Sequence, residues 1–234
     1  MPEKAREYFR LIDYLKDNRT IPKGTDLTMC DPDTRWSLAH TAAMLNILPK
    51  DFVGWNLRTI NGLPVAFVAA GWKSLPPDFD RWDITYSKNT VAHHCVLCKS
   101  LPEDFSNWGL LNELGDTVAH LQVRHGWLPE DFDAWELVDA RGVTVAHEAV
   151  THGKLPKSFT RWDIRDTNGT TIGHIYAKRY ALPEDFNGWF DEDGSGVCVA
   201  RVAAKYNTID PSVFHDWDHI DGTGQTIEAA YLRK

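Results

Sequence analysis

The sequence lacks long apolar runs and has few cysteines, and both absences narrow the class of protein. No apolar segment approaches the roughly 20 residues that a membrane-spanning helix needs. The charged N-terminus, MPEKAREYFRLIDYLKDNR, has no apolar core of the kind found in a secretory signal. We therefore expect a cytoplasmic protein with no membrane partner. The four cysteines show no spacing typical of a disulfide framework: Cys30, Cys95, Cys98 and Cys198.

Basic residues do not predominate either. The 25 Lys and Arg residues are outnumbered by 33 Asp and Glu residues, which gives a net charge of −8. A protein that coats nucleic acid with its whole surface is usually basic, so the composition disfavours that class. The acidic overall charge is still compatible with a local basic patch. Hydrophobic residues make up 43% of the chain and charged residues 25%, as in folded globular proteins.

Motifs that carry catalytic chemistry are also missing. The sequence has no phosphate-binding glycine loop, no Gly-x-Ser-x-Gly elbow and no His-Glu-x-x-His. The metal-like cluster His93-His94-Cys95-x-x-Cys98 has no second cysteine pair, so it is weak evidence for zinc. Cys95 stands where other repeats carry a small alanine, and its thiol is expected to face the core. We predict no catalytic residues, no metal and no cofactor.

What the sequence does contain is a tandem repeat. The small residue of a Thr-Val-Ala-His motif recurs with spacings of 27 residues five times, 26 once and 28 once. A second motif, Leu-Pro-x-Asp-Phe-x-x-Trp, keeps the same interval. Fixed periods of this size indicate stacked repeats. The small positions are Ala39, Ala66, Ala92, Ala119, Ala146, Gly173 and Ala200, with Glu228 in a decayed last copy, and the tryptophans are Trp55, Trp82, Trp108, Trp135, Trp162, Trp189 and Trp217.

Each repeat is interpreted as a turn, a helix and a second, shorter helix. Asp-x-x-Gly forms the turn, because Asp bonds nearby backbone and Gly accepts positive φ. Thr or Ser then caps a helix of about ten residues, which ends at a left-handed Gly or Asn. Leu-Pro opens the second helix and places Phe and Trp on one face. The predicted caps are Ser37, Thr90, Thr117, Thr144, Thr171 and Thr226, and the predicted stops are Asn46, Gly126, Gly153 and Asn207.

One solenoid domain is expected. Residues 1–28 form an N-terminal capping helix, and residues 29–234 form an array of about eight repeats, since a repeat stack needs polar caps at its ends. The last copy, from Thr226 to Lys234, keeps the first helix and lacks the Leu-Pro segment, which suits a C-terminal cap. Capped arrays of this kind are often monomers, so a monomer is expected. The N-terminal helix has an apolar stripe at helical spacing: Tyr8, Leu11, Ile12 and Leu15.

The turn and first helix resemble the ankyrin repeat. The similarity covers roughly residues 31 to 234, but the repeat is about six residues shorter than the 33 of ankyrin, and the Leu-Pro segment replaces the usual second helix. The resemblance implies an all-α solenoid of stacked short helix pairs with turn loops, capped at both ends. It further implies binding of a protein partner through turn tips and exposed helix faces. The matching positions in one repeat are Asp139, Gly142, Thr144, His147, Ala149 and Gly153.

In a repeat array, residues that recur are structural and residues that vary at a fixed place are free to serve function. The motif histidines His40, His93, His120, His147 and His174 are therefore predicted to tie neighbouring turns. By analogy with ankyrin, the two variable columns before each helix stop line a groove that grades from apolar to basic. The candidate binding residues, one of them at a turn tip, are Trp72, Arg124, His125, Arg141, His152, Lys178, Arg179, Lys205 and Tyr206.

The predicted function is a non-catalytic protein–protein interaction scaffold. The form we favour is an inhibitor, antitoxin or counter-defence protein that masks a target protein. Two alternatives stay open. One is binding of nucleic acid or of an acidic surface through the basic groove, which for nucleic acid would be steeply salt-dependent. The other is a structural role within an assembly.

Overall fold

The computed structural model describes residues 3–212 and 214–232, so Met1, Pro2, Arg233 and Lys234 of the two predicted caps lie outside it. The described residues form nine α-helices and one antiparallel strand pair, β1 Thr85–Tyr86 and β2 Asn89–Thr90, which confirms the all-α prediction. None of these helices has the length and apolarity to cross a membrane. The helices are α1 Glu3–Asn18, α2 Leu38–Met44, α3 Val65–Gly71, α4 Val91–Cys98, α5 Val118–His125, α6 Val145–Thr151, α7 Ile172–Ala177, α8 Val199–Tyr206 and α9 Ile227–Leu232.

The chain divides into two compact units, Met1–Leu121 and Gln122–Lys234. In the N-terminal unit, α1 packs on α2, α2 on α3, and α3 on α4. In the C-terminal unit, α6 packs on α7, α7 on α8, and α8 on α9. Each unit is thus a stack of consecutive repeats, as expected for units that cannot bury their apolar faces alone.

The Asp-x-x-Gly turn forms as predicted. Asp139 Oδ1 accepts hydrogen bonds from the backbone N–H groups of Arg141 at 2.8 Å and Val143 at 3.0 Å. Gly142 has a φ of 76°, which a residue with a side chain rarely adopts. The carboxyls of Asp166 and Asp193 make the same pair of bonds in the next two repeats. Burial alone raises the pKa of the Asp139 carboxyl, but the hydrogen bonds from Val143 and Arg141 outweigh burial and lower it.

The first helices begin where predicted but are shorter. Helices α2 to α9 span six to eight residues instead of about ten. The predicted N-cap residues are confirmed, as at Thr144, whose hydroxyl accepts the His147 N–H at 3.3 Å. Left-handed stops are confirmed at Asn46, Gly153 and Asn207, with φ of 56°, 65° and 59°. At Gly126 the helix also ends as predicted, after His125, but the left-handed conformation expected for Gly126 is wrong, since its φ is not positive and its N–H bonds the Gln122 carbonyl at 2.7 Å.

The predicted second helix is wrong, because the Leu-Pro segment folds as two successive turns. The Phe52 N–H bonds the Pro49 carbonyl at 3.1 Å, and the Leu57 N–H bonds the Gly54 carbonyl at 3.0 Å. Two backbone carbonyls of this segment bond the next repeat's helix instead of their own segment. Trp55 and Leu57 accept the first backbone N–H groups of α3, each at 3.0 Å, and equivalent pairs cap the later helices. The segment therefore satisfies the orphan donors of the next helix instead of bonding within a helix of its own.

The recurring Phe and Trp side chains form a continuous aromatic ladder in each unit. In the N-terminal unit the ring centroids from Phe52 to Trp108 follow one another at 4.9 to 5.2 Å, all edge to face. In the C-terminal unit the ladder from Phe132 to Trp217 has spacings of 5.0 to 5.9 Å. Edge-to-face pairs add specific attraction to the apolar burial. The prediction that these residues fill the space between repeats is confirmed.

The motif histidines tie each turn to its helix and to the next repeat. The His147 Nδ1 lies 2.6 Å from the Thr144 hydroxyl, and its Nε2 lies 2.9 Å from the Thr170 carbonyl, 23 residues further along. A carbonyl oxygen only accepts, so Nε2 carries the proton and Nδ1 accepts from the hydroxyl. Burial lowers the pKa of His147, which keeps this neutral form. The same arrangement holds at His40, His93 and His174.

We expect Trp135→Ala to lower the free energy of unfolding by about 3–5 kcal/mol, because it removes a buried rung of the ladder. The matched control is Trp127→Ala in the same unit, whose side chain is 63% exposed; it should change stability by no more than about 0.5 kcal/mol. Urea titration followed by circular dichroism measures both. Equal losses for the two variants would contradict the ladder as a source of stability.

We expect stability to fall as the pH drops below about 6.5, the usual pKa of a histidine in an unfolded chain. Burial lowers the pKa of His40, His93, His147 and His174 in the folded state. The unfolded chain then binds more protons, so stability is complete above pH 6.5 and is lost as pH falls toward the folded pKa values. Each histidine contributes up to about 1.4 kcal/mol per pH unit. Urea midpoints that stay constant from pH 7.5 to 5.5 would refute this.

Candidate binding surface at the helix ends

The predicted binding residues lie at the C-terminal ends of the short helices, with Arg141 at a turn. Trp72 caps α3 in the N-terminal unit and is 60% exposed. In the C-terminal unit, His152 caps α6 and Lys178 caps α7. The remaining residues of the C-terminal unit end α5, follow α7 or end α8, and all but the half-buried Arg124 are exposed: Arg124, His125, Arg179, Lys205 and Tyr206.

Two of these side chains share one carboxylate. Arg124 Nε lies 2.5 Å from Glu148 Oε1, and His152 Nε2 lies 3.4 Å from the same oxygen. Glu148 belongs to α6, so the Arg124 pair connects two successive helices of the stack. No sequence motif links these residues, since Glu148 stands at a place that other repeats fill with Thr, Val, His, Leu or Ile. The positive charge of Arg124 is largely balanced inside the protein.

Two further arginines bond to the fold itself. Arg141 Nε and Nη2 lie 2.7 and 2.6 Å from Asp139 Oδ2, the carboxylate of their own turn. Arg179 Nη1 donates to the Thr151 carbonyl at 2.7 Å and so caps the end of α6. Capping uses one donor of Arg179 and leaves its charge without an ion-pair partner among the described residues. Arg141, by contrast, carries a balanced charge.

A concavity of 260 Å³ opens between α7 and α8 in the C-terminal unit. Lys178 and Lys205 line it from the same place in two successive repeats, together with His174, Arg201 and Tyr206. Within the described residues, neither lysine has a carboxylate within ion-pair distance. The Lys205 ammonium lies 5.6 Å from the centroid of the Tyr206 ring, within the range of a cation–π contact.

Arg201 was missed as an important residue, although the sequence carried a signal for it. It stands where five other repeats have the motif histidine. Its Nη1 lies 3.1 and 3.0 Å from the two carboxylate oxygens of the buried Asp221, and its Nη2 lies 2.5 Å from Gln225 Oε1. It also donates to the Thr223 hydroxyl. Arg201 therefore makes the connection to the next turn that the histidine makes elsewhere, and its charge is not free.

The cysteine–histidine cluster is a packed part of the N-terminal unit. Cys98 Sγ lies 3.5 Å from His94 Nε2, and the His94 ring stacks on Phe67. Burial raises the pKa of the Cys95 thiol to about 11, and burial also raises the pKa of Cys98. Burial thus favours the neutral thiol at both positions, and the thiolate is the form that acts as a nucleophile. Throughout residues 3–212 and 214–232, His, Cys, Asp and Glu form no group of three able to hold a metal ion.

No protein-family model matches the sequence, and a comparison with curated proteins finds no match. Among solved structures, the chain is similar to the ankyrin repeat domain of Bcl-3, described as a unique member of the IkappaB protein family. The two are 14% identical, the alignment covers 94% of this chain and 86% of that chain, and the TM-score is 0.32. At that TM-score the likeness adds no argument. The ankyrin-like character rests on the turns, capped first helices and histidine ties described above.

We expect Arg201→Ala to lower the free energy of unfolding by about 3 kcal/mol, because it leaves the carboxylate of Asp221 buried without its partner. Lys178→Ala/Lys205→Ala should leave stability unchanged or slightly raised, because it removes two like charges from neighbouring repeats. Thermal unfolding of both variants beside the wild type measures the contrast. Destabilisation of the lysine variant by as much as Arg201→Ala would show that the lysines serve the fold.

Proposed function

We propose that this chain is a non-catalytic protein-binding module whose partner docks on the helix ends of the C-terminal unit. The proposal rests on the difference between the recurring and the varying residues. The recurring histidines, acidic turn residues and aromatic rungs make the packing contacts and hydrogen bonds that hold successive repeats together. The varying positions Lys178, Lys205 and Tyr206 are exposed at one concavity.

The charge of this surface favours an acidic partner. Lys178, Arg179 and Lys205 have no ion-pair partner among the described residues, although acidic residues outnumber basic ones in the chain as a whole. Carboxylates are not scarce on the molecule, since exposed Glu130, Asp131, Glu184 and Asp185 occupy the Leu-Pro segments of the same unit. An uncompensated basic surface on an acidic protein steers association with acidic partners.

We extend the proposal to masking. A partner whose acidic surface is covered by these helix ends would lose access to its own basic ligands, which is how an inhibitor, antitoxin or counter-defence protein acts. We also propose a cytoplasmic location and a monomeric state. All four cysteines are free, and Cys30 is exposed, which suits a reducing compartment.

Nucleic acid is the second candidate, because an unpaired basic surface also attracts phosphates. The salt dependence of the affinity distinguishes the two partners. For nucleic acid it is steep and is set by the number of phosphate contacts. A structural role in an assembly would require a partner that is bound stoichiometrically and keeps its activity.

The test is affinity capture from nuclease-treated lysate of the natural host, with wild type and Lys178→Glu/Lys205→Glu as baits. We expect one stoichiometric protein that the variant loses, because charge reversal turns attraction into repulsion. The matched control is Lys50→Glu/Lys157→Glu, which changes the net charge equally at two exposed Leu-Pro segments and should keep the partner. Adding the purified wild-type protein should then inhibit the partner's activity. Capture only without nuclease would favour nucleic acid, and equal loss in both variants would reject the docking surface.

A further inference from the structure

We infer that the concavity between α7 and α8 is an oxyanion subsite, which takes one acidic side chain of an extended peptide segment from the partner. The oxyanion is a carboxylate or a phosphoryl group, and it lies between the ammonium groups of Lys178 and Lys205. This inference rests on the proposed function, since it names the chemistry that the protein partner presents.

The register of the repeats brings the two lysines together. They are 27 residues apart, one repeat length, and both stand in the last turn or cap of their helix. Helices packed side by side have axes about 8–10 Å apart. The flexible four-carbon stem of lysine lets both ammonium groups turn toward one anion. No other two successive members of the first variable column are both basic: Met44, Gly71, Leu97, Arg124, Thr151, Lys178 and Lys205.

The charged residues that line the concavity leave it with an excess of positive charge. Arg201 is held by Asp221 and Gln225. Asp193 also lines the concavity and keeps its negative charge, although its Oδ1 accepts two backbone N–H groups of its own turn. With Arg201 paired to Asp221, the ammonium groups of Lys178 and Lys205 outnumber this one carboxylate, so the concavity has a net positive charge that attracts an anion.

The remaining lining groups set the limits of the subsite. His174 uses both ring nitrogens, at 2.7 Å from the Thr171 hydroxyl and 2.8 Å from the Val197 carbonyl, so it has no donor for the anion. Burial is the main cause of the lowered pKa of His174. The Val197 hydrogen bond and the charge of Asp193 raise this pKa, and the charges of Arg165 and Lys178 lower it. The Tyr206 ring, 47% exposed, offers a flat apolar wall to the stem of the incoming side chain. An acidic side chain fits these lining groups: its oxyanion contacts the two ammonium groups, and its apolar stem packs on the Tyr206 ring.

The neighbouring helix pair, α6 and α7, supplies an internal comparison. Between α6 and α7 the histidine tie of His147 is the same, but Thr151 replaces the first lysine and Glu148 neutralises Arg124. An anion should therefore choose the pocket beside His174 over the place beside His147.

The test uses fluorescence anisotropy with three labelled peptides of equal length, containing four glutamates, four phosphoserines or four glutamines. We expect the glutamate or the phosphoserine peptide to bind and the glutamine peptide not to bind. Lys178→Gln/Lys205→Gln should weaken binding about tenfold, equivalent to about 1.4 kcal/mol. Lys50→Gln/Lys157→Gln should leave it within about twofold. Binding of only the phosphoserine peptide would assign a phosphoryl group, binding of the glutamate peptide a carboxylate, and both support the subsite.

A second measurement locates the anion. In ¹H–¹⁵N spectra of the histidine side chains, the bound peptide should move the His174 resonances and leave those of His147 nearly in place. No binding of either acidic peptide, equal shifts at both histidines, or affinity unchanged in Lys178→Gln/Lys205→Gln would overturn the subsite. Preference for duplex DNA over both peptides, with a steeper salt dependence, would overturn it in favour of nucleic acid.

The two proposals can fail separately. If the lysate partner is captured equally by wild type and Lys178→Gln/Lys205→Gln while neither acidic peptide binds, the protein-binding function stands and the subsite is rejected. If the acidic peptides bind through the lysines and no protein is captured, the subsite stands and the docking function is rejected.

Discussion

The hydrogen bond from a buried histidine to a carbonyl 23 residues ahead is the interaction on which the stacks depend. At His174 the bond reaches the Val197 carbonyl at 2.8 Å, while the other ring nitrogen holds the cap of its own helix. One side chain thus fixes the helix start, the next turn and the spacing between repeats. Burial lowers the pKa of this ring and favours its neutral form, which ties the stability of the stack to pH. Where the histidine is replaced by Arg201, the link becomes an ion pair with the turn carboxylate of Asp221.

A second set of bonds, at the other end of each helix, completes the connection between repeats. Ser74 Oγ donates to the Ala43 carbonyl at 2.6 Å, and Lys154 Nζ donates to the Val123 carbonyl at 2.6 Å. Thr208 donates to the Ala177 carbonyl in the same way, again 31 residues back. Arg179 performs this task for α6 from a neighbouring position. Because carbonyls at a helix end need partners, these positions belong to the fold. The side chains at the helix ends are thereby divided into those that cap and those that are available to a partner.

Several features could be predicted because they depend on neighbours in sequence. The Asp139 turn, the Thr144 cap and the left-handed stop at Gly153 each follow from local backbone chemistry. The Leu-Pro segment could not be predicted in the same way. Its Pro and acidic residues fit a helix start, yet the carbonyls of Trp55 and Leu57 bond the next helix, which local sequence does not reveal.

Spacing along the chain was enough to predict the repeat, its period, the helical class and the separation of recurring from varying positions. Which candidate cations are available to a partner depends instead on how the repeats pack. Arg124 stands in the same column as Lys178 and Lys205, and it differs from them because the carboxylate of Glu148 in the next helix lies against it. Charge balance of this kind depends on distances of a few ångströms between separate elements, and packing sets those distances.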